Sequence, residues 1–174
     1  GICVDSNGVL YVADTGNNNV KKFGPAGKYV SKIEKDFKNV IDVAVTTTGD
    51  IIVSDPGNSR VILLDSSLTI RIDNLLGNQP SDNIRGIATD NADNIYVIDA
   101  SGKPGEVIRK FDKLGNRLPL RLGSIGSLNS GTFNDPTDLA IDNRNGDIYI
   151  VDSGNNRVQR FNAEGNFLGE FGQF

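Results

Sequence analysis

The sequence contains no histidine, no methionine, no tryptophan and a single cysteine among 174 residues. Each absence removes a chemistry. Without His there is no Ser-His-Asp triad, no Cys-His pair and no imidazole metal ligand. One Cys forms no internal disulfide and no Cys-rich zinc site. No run approaches the ~18 apolar residues that a spanning helix needs. The chain opens at Gly1 on a strand-like Ile2-Cys3-Val4 with no charged n-region or apolar h-region, which reads as a mature product or an excised segment. Positive charge is also short: 18 Lys and Arg against 22 Asp and Glu leave a net charge of −4, which opposes non-specific binding to nucleic acid or an anionic membrane. A local cluster, Lys21, Lys22, Lys28, Lys32, Lys35 and Lys38, is interrupted by Glu34 and Asp36 and reads as a solvated strand face.

What the chain has instead is repetition. An apolar run ending in Asp and a small polar turn recurs four times: Leu10-Tyr11-Val12-Ala13-Asp14, Ile51-Ile52-Val53-Ser54-Asp55, Ile95-Tyr96-Val97-Ile98-Asp99 and Ile148-Tyr149-Ile150-Val151-Asp152. The marker Asp residues are 41, 44 and 53 residues apart. Three copies continue as Asp-x-Gly-Asn, at Asp14, Asp55 and Asp152, and then as Asn19-Val20, Arg60-Val61 and Arg157-Val158. Before each marker lies a short apolar strand, and six residues ahead of three markers sits Gly8, Gly49 or Gly146; the third copy has Asp93. After each marker a strand ends on Phe23, Leu64, Phe111 or Phe161, and three of these are followed four residues later by Gly27, Gly115 or Gly165.

Each unit therefore predicts four short strands, a to d, joined by tight turns, with Asn7-Gly8 and Asn145-Gly146 as hairpin signals. Strand b is apolar almost without alternation, which predicts burial on both faces. No amphipathic helix longer than a turn or two is visible. Four-stranded antiparallel units of this period, stacked face to face, predict an all-β chain of β-propeller type. Its four blades span approximately 1–37, 38–83, 84–137 and 138–174.

The phrase Gly-Ile-x-Val-Asp followed by Gly-x-Leu-Tyr-Val-Ala-Asp-Thr-Gly-Asn-Asn-x-Val in residues 1–27 resembles the NHL repeat, and residues 138–172 repeat it, ending in Gly169-Glu170-Phe171-Gly172. The link from Leu122 to Pro136 is similar to the family's linker. Copies two and four carry Asp42 and Asp138 in place of the family's first-strand Gly, and copy three replaces the Asp-x-Gly-Asn turn with residues 100–106. The resemblance implies a β-propeller, usually of six blades, that binds proteins, RNA or small molecules. A few related propellers are lyases or hydrolases, and the amidating and streptogramin lyases among them depend on His. The family's frequent occurrence in secreted and surface proteins points to the outside of the cell. Two architectures follow: a segment of a larger propeller, or four blades that close alone or by assembly, with self-association through open blade ends as a hazard.

Antiparallel strands put the d-to-a and b-to-c loops at one end of each blade and the a-to-b and c-to-d loops at the other. The irregular segments 74–83, 100–106 and 121–137 all fall in the first class. This predicts a non-catalytic scaffold offering that loop face to a protein or small ligand, with Arg85, Lys103, Glu106, Asn134 and Asp135 as candidate binding residues. The alternative is a metal-dependent hydrolase or lyase of the propeller-lactonase type, with Asp42 and Asp138 at the start of strand a as ligands for Ca²⁺. A weaker alternative is single-stranded RNA binding, which the missing Trp and the acidic balance disfavour. The marker Asp residues read as structural: each accepts N–H groups across its own turn, with Arg60 and Arg157 as ion-pair partners. Cys3 occupies a position filled by Ala44, Ala88 and Ala140 in the other copies and reads as a small buried group rather than a nucleophile.

Overall fold

The computed structural model describes residues 1–79, 81–101, 106–126 and 129–172. The described chain is all-β, with four antiparallel four-stranded sheets whose strands run in chain order. The first sheet is β1 (Ile2–Val4), β2 (Leu10–Asp14), β3 (Asn19–Phe23) and β4 (Tyr29–Ile33), and the second is β5 (Asp42–Val45), β6 (Ile51–Asp55), β7 (Arg60–Leu64) and β8 (Ile70–Ile72). The third holds β9 (Ile84–Thr89), β10 (Ile95–Asp99), β11 (Ile108–Phe111) and the two-residue β12 (Arg117–Leu118). A parallel pair, β13 (Ser124–Ile125) with β14 (Thr132–Phe133), precedes the fourth sheet, β15 (Pro136–Asp142), β16 (Asp147–Asp152), β17 (Arg157–Phe161) and β18 (Phe167–Phe171). The chain divides into two compact units, Gly1–Ile87 and Ala88–Phe174.

The strands meet as their pattern requires. All five residues of β6 and of β10 are buried, so these strands are covered on both faces. In the first unit, Tyr11, Val20 and Ile33 of the first sheet share one core with Val53, Ile62 and Leu64 of the second. In the second unit, Tyr96, Ile98 and Ile108 share a core with Ile148, Ile150 and Phe161, and Phe133 of β14 joins them. Each such side chain contributes about 1.5–3 kcal/mol on burial.

The turns explain the glycines. Gly8, Gly49 and Gly146 all have positive φ, and where the third copy lacks Gly its replacement Asp93 takes φ 60°, a conformation Asp tolerates better than most residues. Leu68 stands in the c-to-d turn where the other copies have Gly, at φ 66°. Its side chain packs against the first unit's core, offsetting the strain. Each Asp-x-Gly-Asn turn is a single 3-10 turn, Thr15–Asn17, Pro56–Asn58 or Ser153–Asn155, closed by a left-handed Asn18, Ser59 or Asn156.

Candidate functional site

The marker Asp is the organising group at the b-to-c end of each sheet. Asp55 and Asp152 are both fully buried. One oxygen of Asp55 accepts the backbone N–H of Lys38 at 2.7 Å, and the equivalent oxygen of Asp152 accepts that of Asn134 at 2.7 Å. These donors lie in the link leading into the same sheet, not in the turn itself. At Asp55 and Asp152 this corrects the expectation that the Asp would satisfy N–H groups of its own turn, whereas Asp99 does accept the N–H of Ser101, at 3.1 Å. The reason is geometric: the 3-10 turn leaves the Asp without a capping bond to its own backbone, so that oxygen is turned to the arriving link. The turn contributes a side chain instead, Asn58 Nδ2 to Asp55 at 2.7 Å and Asn155 Nδ2 to Asp152 at 2.9 Å.

The second oxygen carries the ion pair. Arg60 Nε donates to Asp55 Oδ2 at 2.9 Å, and Arg157 Nε donates to Asp152 Oδ2 at 2.7 Å, as the sequence predicts. Each arginine then ties down the link: Arg60 reaches the Lys35 carbonyl at 2.9 Å, and Arg157 reaches the Asn129 and Thr132 carbonyls, both at 2.9 Å. Two further partners escaped the sequence reading. Lys21 Nζ lies 2.6 Å from Asp14, and the buried Arg109 pairs with the buried Asp99. Both sit on the third strand opposite Val12 and Val97, the position Gln159 fills in the fourth sheet, where its Nε2 reaches Asp152 at 3.0 Å. The copies thus supply a donor to the marker from either of two places. A search for any donor two residues beyond the Arg60 position would have found the second.

The glycine of the turn is a contact, not a hinge. Gly57 N donates to the Lys38 carbonyl at 2.9 Å, and a Cβ there would lie 2.3 Å from that oxygen. At Gly154 a Cβ would lie 2.5 Å from the Asn134 side chain, whereas at Gly16 nothing lies within 4 Å. Gly57→Ala is therefore expected to cost about 1–3 kcal/mol in a urea titration, and Gly16→Ala, at the same repeat position, to stay within about 0.5 kcal/mol of wild type.

The opposite end uses carboxylates differently. Asp5 Oδ1 accepts the N–H groups of Asn7 and Val9, each at 2.9 Å, and Asp90 and Asp112 make the same two bonds in their own turns. Tyr96 OH donates to Asp90 at 3.1 Å, and burial first, then Asp90, pushes the Tyr96 phenol well above its usual range. At Asp142, hydrogen bonds from Arg144 hold the carboxyl down at about 2. Much of the acidic excess is thus committed to turn geometry.

The candidate residues separate as follows. Asn134 is held by its backbone on Asp152 and by its Nδ2 on the Gly154 carbonyl at 3.2 Å. Asp135 follows it, exposed, at φ 50°. Glu106 is half-buried, with a carboxylate oxygen 3.9 Å from Arg117. Arg85 is half-buried in β9, and Lys103 lies outside the described residues. Asp42 is 8% exposed; its oxygens accept the N–H groups of Val43 and Ile87, both at 2.8 Å, and the terminal ammonium of Gly1 lies 3.9 Å away. Asp138 is exposed and accepts the N–H of Leu139 at 2.8 Å. Asp42 and Asp138 belong to different units. Among the described residues, no group of three or more Cys, Asp or Glu is close enough to hold a metal ion.

Cys3 is half-buried beside the first unit's core. Burial first, then Asp42 and Asp5, pushes its thiol up to about 12. Maleimide labelling at pH 8 is expected to be at least ~100-fold slower in the folded chain than in urea, because the thiolate is the reacting species; equal rates would contradict this.

Residues 1–23 and 133–161 match the NHL repeat, and a streptogramin B lyase structure superposes on 99% of this chain and 54% of its own at 16% identity, with a TM-score of 0.72. Two stretches of the chain thus carry the NHL repeat, on a β-propeller fold. Two further structures share the fold of this NHL-repeat chain. A catalytically inactive virginiamycin B lyase from Staphylococcus aureus with quinupristin matches at 18% identity and a TM-score of 0.73, over 99% of this chain and 55% of that one. A chain of the nidogen–laminin complex matches at 22% identity and a TM-score of 0.73, over 95% and 60%. At these identities the likeness shows the fold alone. The NHL-repeat chain spans about half the length of the solved structures it matches. No curated protein matches it by sequence.

Proposed function

We propose that this chain is a non-catalytic binding scaffold whose d-to-a and b-to-c loops form the surface for a partner protein or small ligand. The observation that carries this reading is the tethering of the links at Lys38 and Asn134 to buried marker Asp residues. It fixes the backbone of loops whose outward side chains are free to vary, as a recognition surface needs. The structure of a nidogen–laminin complex, in which a chain of this fold takes part in a protein assembly, favours a protein partner. Among the described residues no helix is long and apolar enough to cross a membrane.

A second reading, a metal-dependent lyase or hydrolase, draws on the lyase structures of the same fold. Single-stranded RNA remains the weaker third.

The test uses the immobilised chain and a protein extract, with captured proteins identified by mass spectrometry. A protein retained by wild type and by Lys113→Glu at the opposite end, but lost with Glu106→Lys or Asp135→Asn, is the expected result. Capture indifferent to these changes would overturn the loop-face reading. Turnover of quinupristin, or calorimetric heat on adding Ca²⁺ that Asp42→Asn abolishes, would replace it with the enzyme.

A further inference from the structure

The sequence holds two Asn-Gly pairs, Asn7-Gly8 and Asn145-Gly146, and both stand at the same place in the repeat, in the a-to-b turn. Such a pair is open to deamidation, because glycine has no side chain to shield its backbone nitrogen from the preceding side-chain amide. The two turns treat that nitrogen alike. Gly8 N–H donates to the Asp5 carbonyl at 3.0 Å, and Gly146 N–H donates to the Asp142 carbonyl at 2.7 Å. The glycines share a φ of 76° and 79°, and both asparagines are exposed.

The side-chain amides differ. Asp147 holds both polar atoms of Asn145: its Oδ2 accepts Asn145 Nδ2 and its backbone N–H donates to Asn145 Oδ1, each at 3.0 Å. Asp147 is itself 5% exposed, and Arg160 Nε donates to the same oxygen at 2.7 Å. The repeat counterpart of Asp147 in the first copy is Val9, which has no carboxylate to offer. Asn7 N–H rests on Asp5 Oδ1 at 2.9 Å, but the Asn7 side chain makes no hydrogen bond to any described residue.

We infer that Asn7 is a site of spontaneous deamidation in the folded chain, and that Asp147 protects the identical pair at Asn145. The co-reactant is water. Gly8 N gives its proton to hydroxide and attacks Asn7 Cγ; the N–Cγ bond forms, the Cγ–Nδ2 bond breaks, and Nδ2 leaves as ammonia with a proton from water. Water then opens the resulting succinimide ring. Breaking N–Cγ leaves Asp, and breaking the bond from N to the Asn7 main-chain carbon leaves isoaspartate. Either product sets a new carboxylate near Asp5, and isoaspartate also lengthens the main chain within a tight hairpin turn. To follow the same path, Asn145 must first give up both bonds to Asp147. The Asn7 turn lies at the end opposite the d-to-a and b-to-c loops, so this site and the loop-face reading stand or fall separately.

The test incubates the folded chain at mildly alkaline pH and follows each asparagine by peptide mass spectrometry, with isoaspartyl methyltransferase labelling as a second readout. Asn7 is expected to convert at least about tenfold faster than Asn145, the ratio set by the two bonds to Asp147. In urea both pairs are released, and their rates are expected to agree within about twofold. Asp147→Ala is expected to raise the Asn145 rate while Asn7, in the same molecule, keeps its own; a native circular dichroism spectrum separates this from unfolding. Asn7→Ser removes the fast-forming product. Equal rates at the two pairs in the folded wild type, or a faster Asn145, overturn the inference. So does an Asn7 that converts no faster than the asparagines without a following glycine.

Discussion

Replacing Asp152 by Ala is expected to cost the fold about 3–5 kcal/mol, the range for removing one partner of a buried ion pair. Asp152 is fully buried and Arg157 is 8% exposed. Three side chains, Asn155, Arg157 and Gln159, donate to one carboxylate oxygen, while Asn134 N–H uses the other. Truncation leaves the guanidinium beside no marker charge and releases the link. The check is a urea titration followed by circular dichroism, with the slope compared to confirm two-state unfolding. Asp14→Ala makes the internal comparison. Its partner Lys21 is partly exposed, with 39% of the side chain accessible, so the loss should stay below about 1 kcal/mol. Similar losses at the two sites would mean that burial of the pair is not what stabilises the turn.

Phe133→Ala is expected to cost about 3–5 kcal/mol, as for other buried Phe truncations. Phe133 is fully buried, with its ring centroid 5.9 Å from that of Phe161. Its ring also lies against Gly123, where an added Cβ would come within 2.3 Å of a ring carbon. Gly123 has φ +84°, so both backbone and ring demand glycine there. Phe133→Leu refills part of the space and should recover more than half of the loss; thermal unfolding of both variants ranks them. A Phe133→Ala loss of under 1 kcal/mol would show that the cavity collapses.

These two residues mark what the sequence discloses and what it hides. Asp152 was readable as structural because it recurs in every copy, and a group present in every copy serves the repeat before it serves a reaction. Its backbone donor, the Asn134 N–H, was not readable, because the link and the turn meet only once the sheet has folded. Asn134 stood out as a candidate ligand contact for being in an irregular loop, and its amide proves to be held by the Gly154 carbonyl. The apolar runs foretold four sheets, since strands buried on both faces lose their alternation. The parallel pair of β13 and β14 had no such signature: two-residue strands are too short to show a period. The same holds for Arg109, whose pairing with Asp99 follows from register across a turn altered in that copy.

The tethered links carry a consequence for recognition. Binding usually costs about 0.5–1.5 kcal/mol for each side chain that must be immobilised, with further cost where a loop must be ordered. At Lys38 and Asn134 the backbone is already held by a carboxylate that no partner needs to displace. A partner on this surface would meet main chain whose ordering was completed at folding. Its rate of capture would then depend on collision and orientation rather than on waiting for a loop to close.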